Sequence, residues 1–389
     1  MSGWPRSVPL GRVSGIPVRV SWSVVAVSIV GSWILATDVF PRFDNGLSLW
    51  WRLALAIAGV ACFLGSILAH EFGHSLAARR HGIDTSSIRL WIFGGVAALS
   101  SPARSPRAEF QIAVAGPAAN AALAAIFLAS AVLARRTGMP EEIGTVVGGL
   151  GLLNLLLTVT NLVPAAPLDG GKVLASLLWA RTGRQEWSRL ISARIGLIVG
   201  AGVILYGLSD AYAFTNFTGL YTASIGVFIL VAARADVISA SVRGRLAATS
   251  VGEILLMHPP AIHDSASLTD IGRHLGPESV SVPVQRWAQQ TIGYFTTASL
   301  SDVADVDHAW TSVGDLMTPT EFVPSAWTTE TLLAALERIG PNPPQLLGVD
   351  PETGVVLGTA TPRQFAHLMA QPILWGGVTR EANSGIPDG

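Results

Sequence analysis

The chain has 389 residues, of which 50% are hydrophobic and only 13% charged, with a formal net charge of −1. Soluble domains carry about 25% charged residues, so much of this chain lies outside water, and the near-neutral balance offers no basic surface for a nucleic-acid partner. A single cysteine, Cys62, excludes an internal disulfide and reads as a packing residue in an apolar helix.

In chain order, the first apolar run is Val20–Thr37. It is long for a signal-peptide core and no small-residue cleavage pattern follows, so it is read as a retained spanning helix. Further uncharged runs cover Leu53–His70, Phe110–Ala134, Ile143–Leu168, Ile195–Ser209 and Ala211–Ala233. Most reach the ~17 to 25 residues that cross a bilayer, which gives six spans with both termini on one side. Arginines set the orientation. Arg6, Arg12, Arg19, Arg79, Arg80, Arg89, Arg104, Arg107 and a later series from Arg181 to Arg245 fall on one side, against Arg42, Arg52, Arg135 and Arg136 on the other. The termini are therefore expected in the cytoplasm. Between spans two and three, Ser87–Leu99 mixes β-branched residues around Gly94-Gly95, the pattern of a strand or hairpin; an interfacial loop is the alternative.

After Arg234 charges and prolines return. Thr249–Leu255 (TSVGEIL) is echoed by Thr311–Met317 (TSVGDLM), and each copy continues through a short helical pattern into apolar strands, Ser281–Val284 with Ile292–Phe295, and Gln345–Val349 with Val355–Thr359. Such matching order marks a duplicated module. The expected domains are residues 1–240 in the membrane, repeats at 249–310 and 311–370, and a disordered tail at 380–389. The fold class is an α-helical polytopic membrane protein with a small membrane-associated β-sheet, followed by an α/β tandem repeat.

The chemistry concentrates in Ser66–Ala78, which reads SILAHEFGHSLAA. His70 and His74 are four apart, so on a helix both imidazoles leave one face about 5.4 Å from each other. That spacing suits two ligands of one Zn²⁺ per chain, with Glu71 free as general base. Ionisable residues at membrane depth are costly and functional. A third protein ligand is needed, and Asp169 is the candidate. It follows a long uncharged run broken by Pro164 and Pro167, and precedes Gly170 and Gly171. A helix cap is its structural alternative, and Lys172 beside it reads as interfacial. Asn120 is polar and deep in a span; it either bonds a neighbouring helix or steadies a substrate carbonyl. Asn154 and Asn161 face the same choice. His81, before Gly82, reads as a helix end, and the histidines at 258, 263, 274, 308 and 367 lack ligand spacing.

These residues resemble the site-2 protease family of intramembrane zinc metalloproteases. The resemblance spans roughly Ile16 to Ala233 and rests on His70-Glu71-Phe72-Gly73-His74, Gly94-Gly95, Gly116-Pro117 with Asn120, and Asn161 through Gly171. It implies zinc bound by His70, His74 and Asp169, Glu71 as base and Asn120 holding substrate. Gly15–Val20 looks like the family's amino-terminal membrane-associated strand, with Ser21 where many members carry histidine. The region from about Thr249 to Met369 resembles a tandem pair of CBS domains, which implies dimerisation or an adenine nucleotide as ligand. The family's ribose-binding aspartate, three residues after a threonine or serine, is replaced in both copies: Leu300 follows Thr297 and Gln364 follows Thr361. That departure moves weight toward a homodimer or a different ligand.

The resemblance further implies a single-pass membrane substrate already trimmed by another protease, such as an anti-sigma factor. A substrate stretch, once unwound, could pair with the strand near Gly94-Gly95 by β-augmentation. The competing reading is a CBS-gated divalent-metal transporter or channel, in which the His/Asp cluster carries cargo. Glu71 between the histidines has a clear catalytic role and no obvious transport one.

Overall fold

The computed structural model describes residues 7–42, 46–92, 94–214, 217–257, 261–269, 281–287, 290–296, 308, 310–341, 343 and 345–370. The short helix expected in the first repeat, His258, His274, Thr297 with Leu300, and the tail at 380–389 lie outside these residues. Residues up to Ala240 form one compact unit and those from Ser241 onward another.

In the first unit, β1 (Ser7–Val13) and β2 (Ile16–Ser21) form an antiparallel hairpin. The strand expected near Gly15–Val20 is thus present, with a partner that Pro9 and Gly11 disguise as loop. Ser21 then caps α1 (Trp22–Ile34), accepting from the Ser23 amide. Ser48 caps α2 (Leu49–Arg80), whose last turn carries Arg79 and Arg80 and ends at His81. The segment between spans two and three is the expected hairpin, β3 (Thr85–Trp91) and β4 (Gly94–Leu99). β2 and β3 pair in parallel, giving the sheet order β1-β2-β3-β4 with β4 at an edge.

Ser105 and Pro106 open α3 (Pro106–Arg136), and α4 (Glu141–Asn161) packs along it. An additional helix, α5 (Asp169–Thr182), follows and ends at Gly183 in the left-handed conformation. Two long helices complete the unit, α6 (Gln185–Phe214) and α7 (Phe217–Ala248). Six helical segments among the described residues are long and apolar enough to cross a membrane, the first because α1 continues in helical turns to Arg42; α5, at 14 residues, is too short to be one of them. Polar side chains join the helices where water is scarce: Asn154 donates to Ser66 Oγ at 3.1 Å, and Arg189 on α6 bonds Glu109 on α3 at 3.3 Å. Cys62 lies on an exposed face of α2 and not in its packed interior, consistent with an apolar helix presenting one side to lipid.

The second unit realises the duplication as two interlocked sheets. β5 (Leu256–Met257), β6 (Ile262–His263), β7 (Ser281–Arg286) and β8 (Gln290–Thr296) come first, followed by α8 (Val313–Leu316), β9 (Thr318–Pro319) and β10 (Ser325–Trp327). Then come α9 (Leu332–Ile339), β11 (Leu346–Val349), β12 (Val356–Ala360) and α10 (Pro362–Ala370). The sheet orders are β10-β11-β12-β5 and β6-β7-β8-β9. The opening segment of each repeat therefore joins the sheet of the other. Packing follows the same exchange: Val251 sits in the core with Leu332, Leu346 and Ala360, and Val313 in the core with Leu268, Val284 and Phe295.

Candidate active site

Three helices and one strand converge on the buried histidines of α2. His70, Glu71 and His74 are each 7% exposed, and Asp169, the first residue of α5, is 6% exposed. The carboxylate Oδ2 of Asp169 lies 3.1 Å from His70 Nε2 and 3.0 Å from His74 Nε2, and the two Nε2 atoms are 3.1 Å apart. Tetrahedral zinc with ligand bonds of about 2.0–2.1 Å needs ligand atoms about 3.3 Å apart, so the three residues have nearly the required spacing. Among the described residues they are the one group of His, Cys, Asp and Glu side chains with this potential.

Each of the three is steadied from behind. His74 Nδ1 lies 2.7 Å from the carbonyl of Ile112 on α3. A carbonyl only accepts, so Nδ1 carries the hydrogen and the neutral ring turns a lone pair on Nε2 toward Asp169 Oδ2. Two acceptors 3.0 Å apart repel unless a cation lies between them. A divalent metal resolves the conflict and takes His70 Nε2 as well. Asp169 gives its other oxygen to the ammonium of Lys172, 3.1 Å away, although that side chain is otherwise more than half exposed. The interfacial reading of Lys172 missed this bond, which its position three residues along the same helix makes available. His70 Nδ1 meets the amide of buried Asn120 at 3.2 Å.

The start of α5 is held by α6. The Ser192 hydroxyl donates to the Gly171 carbonyl at 2.8 Å, and the Ser192 backbone carbonyl accepts from the Ala166 amide at 3.3 Å. Two glycines keep the centre open. A Cβ on Gly116 would strike His74 Nε2 and stand 2.7 Å from His70 Nε2, inside the space a shared ion requires. One on Gly95 of β4 would collide with the Glu71 side chain, 2.7 Å from Oε1, so this carboxylate lies directly against the backbone of an edge strand. The residues present therefore fit a zinc ion. His81 does close its helix, bonding Gln111 at 2.7 Å, and takes no part in the cluster.

A unit with six bilayer-length apolar helices and a buried His, His, Asp group beside a glutamate has the make-up of a class, the membrane-embedded metallohydrolases. Comparison with known proteins narrows it. The profile of peptidase family M50 matches residues 58–147 and 137–204. Rip3 of Mycobacterium tuberculosis, named as a zinc metalloprotease, is 36% identical over 373 residues, covering 94% of this chain and 95% of its own. The chain belongs to the site-2 protease family of zinc metalloproteases, peptidase family M50. Among solved structures it is similar to the site-2 protease from Methanocaldococcus jannaschii, with a TM-score of 0.41 and 24% identity over 60% of this chain and 95% of that one. It is also similar to the CBS domain protein TA0289 from Thermoplasma acidophilum, with a TM-score of 0.24 and 14% identity over 31% and 68%. Family membership sets aside the transporter.

Proposed function

We propose that this multi-pass membrane zinc metalloprotease cleaves single-pass membrane proteins within or beside the bilayer, with His70, His74 and Asp169 as its zinc ligands and Glu71 as general base. The observation that carries the reading is the contact of Glu71 with Gly95 of β4, an edge strand paired only with β3 among the described residues. A transmembrane substrate hides its carbonyls in intrahelical hydrogen bonds and must unwind before attack. The open edge of β4 offers backbone groups to such an extended stretch, and the same backbone borders the base. When bound, zinc lowers the pKa of a coordinated water to about 7 and polarises the scissile carbonyl. Glu71 takes the attacking water's proton and delivers it to the leaving nitrogen.

The arginine distribution supports cytoplasmic termini, with the site near the cytoplasmic end of α2 and a short route for water. A substrate trimmed beforehand, of the anti-sigma factor kind, would release its cytoplasmic part for signalling. The CBS pair is assigned regulation of this cleavage. Gln364 Oε1 accepts from both the amide and the hydroxyl of Thr361, which leaves that position committed to closing α10. This favours homodimerisation or a different ligand over an adenine nucleotide gripped there by its ribose.

The test is cleavage of a candidate single-pass substrate in proteoliposomes by wild type and Glu71→Gln. The variant should keep stoichiometric zinc and lose roughly 10²- to 10⁴-fold in rate, the usual contribution of a general base. Metal flux without any proteolysis would overturn the proposal.

A further inference from the structure

Asn120 sits on α3 one helical turn beyond Gly116, so both face the histidines of α2. It is 1% exposed. Its amide meets His70 at Nδ1, whereas the metal end of that ring is Nε2, the atom 3.1 Å from Asp169. With the amide nitrogen turned to the ring, Nδ1 must be the lone-pair nitrogen. The ring hydrogen then sits on Nε2, against the metal position, and the amide oxygen Oδ1 stays buried with no hydrogen-bond partner. The two ends of an amide have the same shape, and a half-turn about the Cβ–Cγ bond exchanges them. After that half-turn Oδ1 accepts from Nδ1–H, the orphaned oxygen is satisfied, and Nε2 presents its lone pair to the ion. The rotation satisfies the oxygen and turns the lone pair of Nε2 to the ion, and it carries the amide N–H₂ into the buried position that Oδ1 held.

We infer that Asn120 is a positioning residue: its amide oxygen accepts the Nδ1 hydrogen of His70 and fixes that ring with Nε2 toward the metal. This rests on the zinc site described above. It gives Asn120 a role behind the ring in place of the substrate contact that the resemblance implies, as its 1% exposure favours. It also completes a pattern, because His74 is held in the same way by the Ile112 carbonyl and Asp169 by Lys172. Groups behind metal ligands typically contribute 10- to 100-fold to affinity or activity.

The experiment measures zinc affinity of the purified full chain by chelator competition, with no substrate present. Asn120→Leu, which keeps the volume but has no acceptor, should weaken zinc binding about 10- to 100-fold. Asn120→Asp, which keeps an acceptor oxygen, should bind zinc within a few fold of wild type, and its cobalt(II) derivative should retain the wild-type visible spectrum. If the leucine variant does not fold, Asn120→Ala serves in the same comparison. Wild-type zinc affinity in Asn120→Leu, with or without loss of cleavage, overturns the inference, and so does equal weakening in Asn120→Asp. His74→Ala is the control: unweakened zinc binding there would bring down the metal site itself, a failure distinct from that of Asn120.

Discussion

At Gly116 the backbone of α3 passes so close to both imidazoles that a methyl group would occupy the ion's space. Gly116→Ala should therefore weaken zinc binding at least about tenfold, on the scale of losing a supporting group, while the far-ultraviolet circular dichroism keeps its helical signal. Metal analysis of the purified variant decides it. Spacing and membrane depth alone made His70, Glu71 and His74 readable as a site, because two imidazoles four residues apart share a helix face whatever the rest of the fold does. Asp169 was readable as the candidate third ligand only once joined to the histidines, since alone it could equally be a helix cap. The supporting groups were less accessible to sequence reasoning. Nothing in the letters says that Ile112 lends its carbonyl, or that Asn120 faces a ring and not a neighbouring helix, since both depend on how α2 and α3 are rotated against each other.

Among the elements, the long spans and the hairpin around Gly94-Gly95 were legible from hydropathy and turn chemistry. α5 was not: it opens with two glycines, is too short to span, and gains its order from the Ser192 bonds that hold its first turn. β1 was hidden for a similar reason, its pairing with β2 supplying what a sequence interrupted by Pro9 and Gly11 lacks. The duplicated openings carry matching caps. Ser250 and Glu253 close one capping box, Ser312 and Asp315 the other. The Glu253 carboxyl is held below the usual carboxylate range by the Ser250 amide, then by its hydroxyl; for Asp315 the Ser312 hydroxyl leads and the amide follows. Depressed folded-state values mean that this stabilisation is complete above the unfolded carboxylate value of about 4 and fades as pH falls below it. Hydrogen exchange at 249–257 and 311–317, corrected for the intrinsic rate, should accelerate as pH falls below about 4. The double variant Glu253→Gln, Asp315→Asn should lose that pH dependence.

For the molecule as a whole, the metal belongs to one compact unit and the repeats to the other, with α7 contributing residues to both. The end of α7 is tied into the second unit by Arg243 with Glu337 and by Arg245 with the carbonyls of Leu368 and Met369. A ligand that binds only folded protein stabilises by about 2.7 kcal/mol at a hundred times its Kd. Chelation should therefore lower the unfolding temperature of the membrane unit by several degrees and leave the transition of the repeat unit in place. Calorimetry of the full chain, with and without chelator, resolves the two.

The exchange of opening strands between β5 and β12 and between β9 and β8 has a topological result. The two repeats are laced together like clasped hands. A nick in the polypeptide between them would leave fragments still joined by strand pairing, because each sheet borrows a strand from the other's fragment. Deleting either half would strip one strand and a share of the core from the sheet of the other.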